Sequence, residues 1–168
     1  MNVWRASGPS HGRAARGLLA QIVALAFVVQ AAFLFAAPGA SAADLSTLSI
    51  VTASGAHDFT VEIAATEESR ETGLMNRRYM PGDRGMLFEF ERVAPVAFWM
   101  KNTYIPLDMI FIAPNGTVTR VVANAEPLSE TTIPSGPPCI AVLELNGGVA
   151  AKIGLKVGDK VRHPFFKS

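Results

Sequence analysis

Between Ala43 and Ser168 the apolar residues fall into short β-branched and aromatic runs, each closed by a cluster of Pro, Gly, Asn or Asp, with no heptad, repeat or low-complexity tract. Runs of that length bounded by turn formers build strands, so the chain is constrained toward a small sheet-based domain. Leu48–Val51 and Phe59–Ala64 are strand candidates around the turn-like Ser54–Asp58. Thr66 ahead of Glu67 and Glu68 is a helix start with an N-cap hydroxyl and acids in the first turn, and the helix is expected to reach about Met75. Met86, Phe88 and Phe90 alternate with Leu87 and Glu89, the period of a half-buried strand. Pro114-Asn115-Gly116 is a hairpin turn leading into Thr117–Ala123.

Glu126 to Pro138 holds four prolines and no period, which predicts a long surface loop. Cys139–Leu145 reads as a strand, Gly148–Ile153 as a short helix ended by Gly154, and Asp159–His163 as a last strand. Strands outnumbering two short helices predict an α+β domain: a small antiparallel curled sheet or partly closed β-barrel.

The first 42 residues have a different character. Arg5, Arg13 and Arg16 precede an apolar run from Leu18 to Ala37, and Ala40-Ser41-Ala42 offers small residues for cleavage. This is the pattern of a signal peptide; its length would equally serve an uncleaved N-terminal membrane anchor. Either way residues 43–168 are expected outside the cytoplasm, periplasmic or secreted. Three of the 15 Lys+Arg lie in the leader, leaving 12 against 14 Asp+Glu, a balance with no electrostatic footprint for nucleic acid. Cys139 is the only cysteine, so no intrachain disulfide can form, and a lone apolar-flanked thiol reads as a small buried side chain.

The segment richest in possible chemistry is Phe98 to Phe111, FWMKNTYIPLDMIF. Taking 97–101 and 107–111 as an antiparallel hairpin, Met100 opposes Asp108, and Phe98, Met100, Asp108 and Ile110 share a face. A carboxylate on an apolar face needs partners, and Asn102, Thr103 and the loop N–H groups are the nearest. Asp108 either pins the Asn102–Pro106 loop or joins Trp99, Lys101, Asn102 and Thr103 in a ligand-binding mouth.

Glu144 is a second carboxylate inside an apolar strand. With Asp108 it would form the acid/base pair of a hydrolase, whereas pairing with Arg84 or a helix end is the structural alternative. Arg70, Arg77, Arg78 and Arg84 cluster near the first helix and read as a solvated face. Five methionines between Met75 and Met109 read as core filling, not a thioether metal site. No zinc pattern, phosphate loop or nucleophile elbow is present, so no cofactor or metal is expected.

Gly73-Leu74-Met75-Asn76-Arg77, Gly85-Met86-Leu87-Phe88, Phe98 to Thr103, Ile105-Pro106-Leu107-Asp108 and Leu143-Glu144-Leu145 with Gly158-Asp159 resemble, in order, the motifs of the Domain of Unknown Function 192 family. The resemblance spans about residues 58–164. It implies a small barrel-like α+β fold and frequent export, and implies no reaction. The expectation is therefore a binding or accessory module of the cell envelope for a small molecule, glycan or peptide. A hydrolase, or an interaction protein acting through loop 126–138, stands as the alternative.

Overall fold

The computed structural model describes residues 44–166, so the leader and its possible cleavage site lie outside the described residues. β1 (Leu45–Thr52) and β2 (Gly55–Ala64) pair antiparallel through a turn of only Ala53 and Ser54, tighter than the five-residue cluster expected. Thr66 caps α1 (Glu67–Thr72) by accepting from the Ser69 N–H (3.1 Å), while its own N–H donates to Ser69 Oγ (3.0 Å). A serine thus closes the reciprocal cap that Glu or Gln usually supplies. The helix stops at Gly73 rather than Met75.

Because α1 carries the chain back across the sheet, β3 (Arg84–Ala94) enters parallel to β2, with Val61 beside Gly85. The sheet is therefore mixed, which corrects the antiparallel expectation. β5 (Leu107–Ile112) pairs with β6 (Val118–Ala125) across the Asn115-Gly116 turn and with β8 (Cys139–Asn146) on its other side. The seven-stranded order is β6-β5-β8-β3-β2-β1-β9, with β9 spanning Lys160–Arg162. Its two outer strands meet where Thr117 bridges Lys160 and the Val161 N–H reaches Gly116 O (2.8 Å), so the curled sheet closes on itself at one end.

The hairpin expected between 97–101 and 107–111 does not form. A strand has two edges, and β6 and β8 occupy both edges of β5. Residues Met100 to Thr103 instead make a tight turn, closed by Thr103 N–H to Met100 O (3.0 Å) with Asn102 at φ +54°. Only Ala97–Phe98 (β4) is extended, and it pairs with Ile133–Pro134 (β7) from the supposedly structureless loop. Further bonds from Met100 N–H to Ser129 O (2.9 Å) and Leu128 N–H to Thr103 O (3.0 Å) tie that loop to the turn.

Alternation along β3, β5 and β8 feeds two apolar clusters. Leu87, Ile110 and Leu143 face the inside of the curl with Ile50 and Val61, and α2 (Val149–Ile153) adds Ala150 and Ile153 to that side. Met86, Phe88, Met109, Phe111 and Val142 face outward, under Leu74, Met80, Met100 and Ile105. Every residue of β5 is buried, and β3 lacks the expected half-buried alternation: Gly85 to Phe88 are all buried and Glu91 to Val93 all exposed. Strands covered on both faces lose the alternation of polarity that marks a one-sided sheet. Each fully buried Leu, Ile or Phe contributes about 1.5–3 kcal/mol through removal from water. Among the described residues no helix is long and apolar enough to cross a membrane.

Candidate functional site

The outward cluster is not fully covered. Between the exit of α1 and the β4–Thr103 segment lies a cleft of about 580 Å³, a size suited to a small organic ligand. One wall is aromatic: Phe88 and Phe98 pack edge to face with centroids 5.1 Å apart, and Phe98 meets Phe111 in the same way at 6.2 Å. Gly73 (φ +45°) lets the chain pass over this wall. A Cβ there would sit 3.1 Å from the Phe88 ring, so the close approach that shapes the cleft requires glycine.

Trp99, Lys101, Asn102 and Thr103 all line the cleft, as the sequence places them, but by a different construction. They belong to the tight turn after β4. Trp99 is half exposed, and the Lys101 ammonium lies 5.0 Å over its ring. Thr103 is buried, with its hydroxyl donating to Lys101 O (3.2 Å), while Asn102 is exposed at the rim. None of them bonds to Asp108.

Asp108 lies elsewhere. It faces the inside of the curl, fully buried, and accepts from the N–H groups of Asn124 (2.8 Å), Gly148 (3.1 Å) and Ala150 (2.7 Å). Gly148 is the N-cap of α2 and has no side chain to cap with, so Asp108 supplies the acceptor from a neighbouring strand. The expectation that it pins the Asn102–Pro106 loop is thus corrected: it pins the helix start and β6. Its role in the geometry is structural.

Glu144 takes the place in the cleft that Asp108 does not. On β8 it sits between Met86 of β3 and Met109 of β5, 4% exposed, with its carboxyl lining the cleft. Burial alone pushes its pKa up to about 8, so it is a neutral acid at pH 7. Among the described residues no hydrogen bond or cation engages it; the ion pairs present are Arg77 with Glu62 and a long approach of His163 to Glu89. The expected pairing with Arg84 is absent among the described residues. Asp108 pairs laterally with Leu145, the neighbour of Glu144, so the two carboxyls project from opposite faces of the sheet. They cannot share one substrate as an acid/base pair.

The arginines do not converge either. Arg77 forms a two-pronged pair with Glu62 (2.5 and 2.6 Å), which holds that carboxylate below its usual range. Arg78 stacks 4.7 Å over Tyr104. Arg70 does reach the cleft; its Nη1 donates to Ala65 O (2.5 Å) and Glu89 O (2.9 Å), and its guanidinium lies 5.5 Å over Phe90. Met80, Met86, Met100 and Met109 are buried in the outward cluster, as core filling predicts. Cys139 is buried too, and its surroundings push the thiol pKa up.

A constellation that sequence reasoning missed lies at the other side of the sheet, where His163 Nε2 is 2.8 Å from Ser46 Oγ and Nδ1 is 3.8 Å from Glu89 Oε1. It has the members of a hydrolytic triad. The Phe165 N–H, however, donates to Nδ1 (3.3 Å), which leaves the imidazole proton on Nε2 pointing at the serine. A base able to take the serine proton needs the opposite tautomer. No sequence signal foretold this meeting, since Ser46 and His163 are separated by 117 residues.

Comparison with known proteins finds one matching family and similar solved structures. The family described as DUF192, Uncharacterized ACR, matches residues 49–163. No curated protein matches. A crystal structure of a proposed transcription regulator from Sinorhizobium meliloti 1021 is 47% identical, with a TM-score of 0.72 over 74% of this chain and 97% of that one. A protein of unknown function from Novosphingobium aromaticivorans DSM 12444 is 40% identical, with a TM-score of 0.72 over 76% of this chain and 91% of that one.

Proposed function

The chain belongs to the DUF192 family, and we propose that it works as an exported ligand-binding module whose site is the cleft between α1 and the Trp99–Thr103 turn. The observation that carries this reading is Glu144: a side chain only 4% exposed, with no hydrogen-bond or ion-pair partner among the described residues, whose carboxyl keeps its solvent contact through the cleft it lines. An unpartnered buried carboxyl costs stability, and such costs concentrate where a ligand is to be met. The segments that carry the family resemblance supply much of the lining, including Leu74, Phe88, Phe98, Lys101 and Glu144. The N-terminal leader pattern supports export, with the cell envelope as the module's destination.

The description of the S. meliloti relative raises a regulatory role. For this chain, 12 Lys+Arg against 14 Asp+Glu over residues 43–168 favour ligand capture over contact with nucleic acid. Loop 126–138 supports the same site, because its β7 segment and its bonds to Met100 and Thr103 brace the turn that bears Trp99.

A fragment screen by thermal shift, run on the wild-type chain, Trp99→Ala and Glu144→Gln, tests the reading. A ligand at about a hundred times its Kd should stabilise the wild type by about 2.7 kcal/mol. Both variants should lose most of that gain. Equal stabilisation of all three proteins would remove the cleft as the site.

A further inference from the structure

Two carboxyls among the described residues are more than nine-tenths buried. Asp108 has three backbone donors, whereas Glu144 has none. What would complete Glu144 has to enter through the cleft that it lines. One wall of the cleft is built of rings, and ring faces carry the negative lobe of the π quadrupole. Two of those rings already hold cations over them, Arg70 over Phe90 and Lys101 over Trp99. Among the described residues no cation lies over Phe88 or Phe98.

Resting on the binding-module reading, we propose that the cleft takes a small organic cation, whose ammonium or guanidinium head seats against Glu144 while its apolar body lies along Phe88, Phe98 and Trp99. An anion would find the two cations of the lining, Arg70 and Lys101, already engaged with carbonyls and a ring, and would be repelled by Glu144 once that carboxyl ionises. The ionisable groups lining the cleft are three carboxyls, Glu67, Glu71 and Glu144, and two cations, Arg70 and Lys101. The strands flanking Glu144 present Met86 and Met109, which do not titrate, and the next charge along the sheet is Glu62, already neutralised by Arg77.

Binding is then coupled to a proton. The empty site holds Glu144 as the neutral acid below about pH 8. An incoming cation supplies the missing countercharge, and the carboxyl proton leaves to solvent. Affinity for a permanently charged head should therefore rise about tenfold per pH unit and level off above the carboxyl's own titration.

Benzylammonium, benzyl alcohol and benzoate present one ring with a cationic, a neutral and an anionic head, and their binding to the intact chain can be followed by calorimetry between about pH 6 and pH 8 in buffers of different ionisation enthalpy. The expected result is that benzylammonium binds about tenfold tighter than either control near pH 8, weakens toward pH 6, and releases close to one proton per ligand near pH 6 but about half a proton near pH 8. Glu144→Gln should lose both the preference and the pH slope. Proton release by the wild type carries the test even if that variant folds poorly. Tighter binding of benzoate or benzyl alcohol, or a benzylammonium affinity flat in pH, overturns the cation assignment while leaving the cleft a binding site. Failure of all three to bind at millimolar concentration, with Trp99 fluorescence unchanged, overturns the cation assignment and the cleft together.

Discussion

Replacing Glu144 by Gln isolates the cost of a buried acid. A carboxyl whose pKa is higher folded than unfolded holds its proton more tightly in the folded state. Stability is therefore unaffected below about pH 4.5, falls as pH rises toward about 8, and is constant beyond. Each pH unit between those limits removes about 1.4 kcal/mol, so at pH 7 the wild type forgoes about 3 kcal/mol and above pH 8 about 5. Glutamine has nearly the same shape and no charge to desolvate. Relative to it, the wild type should match near pH 4.5 and fall behind as pH climbs. For a domain of this size 1 kcal/mol moves Tm by about 4 °C, so the variant should melt on the order of 10 °C higher at pH 7. Scanning calorimetry of both proteins at several pH values gives the comparison directly. Glu89 and His163, which burial also shifts, are common to both and cancel. A Tm difference that does not change between about pH 5 and pH 8 would refute the reasoning.

Other changes probe the framework around the site. Asp108→Ala strips the acceptor from three N–H groups, that of Ala150 buried and those of Asn124 and Gly148 partly so, and should cost about 2–4 kcal/mol in urea unfolding, with the cleft ligand still bound by whatever remains folded; a cost under about 1 kcal/mol would contradict its capping role. Gly85→Ala would place a Cβ 2.6 Å from Glu144 O and 2.7 Å from Leu145 Cδ2, and the forced separation of β3 from β8 should destabilise by about 1–3 kcal/mol and weaken ligand binding; an unchanged midpoint would show that the sheet yields there freely. Cys139 is buried with its thiol pKa pushed up, so a thiol reagent should label it only after unfolding; native labelling within about tenfold of the unfolded rate would be inconsistent with that burial. Removing residues 129–135 should lower Tm and quench-protect Trp99 less well, because Ser129 O and the β7 pair brace its turn; unaltered Trp99 fluorescence would count against the brace.

Much of the local structure is legible in the residues. The Thr66 cap, the Asn115-Gly116 turn, the Gly154 stop and the strands at 107–112 and 139–146 depend on neighbours a few positions away, and sequence carries that information. The meeting of Trp99, Lys101, Asn102 and Thr103 at one cleft, the candidate site, was also legible. The partner choice of each strand was not. Chain proximity suggested that Phe98–Lys101 folds back on Leu107–Phe111, but β8 and β6 claim both edges of β5, and the competition is settled only when the whole sheet assembles.

That outcome decides what the two carboxylates are. By itself the sequence determined that Asp108 and Glu144 stand in apolar strands and must each be satisfied or pay in ionisation. Only the tertiary structure decided which is which. With β5 and β8 in register at Asp108 and Leu145, strand alternation turns Asp108 inward to the N–H groups of α2 and turns Glu144 outward to the aromatic cleft. A shift of that pairing by one residue would exchange the two faces, and no local feature of either strand specifies it.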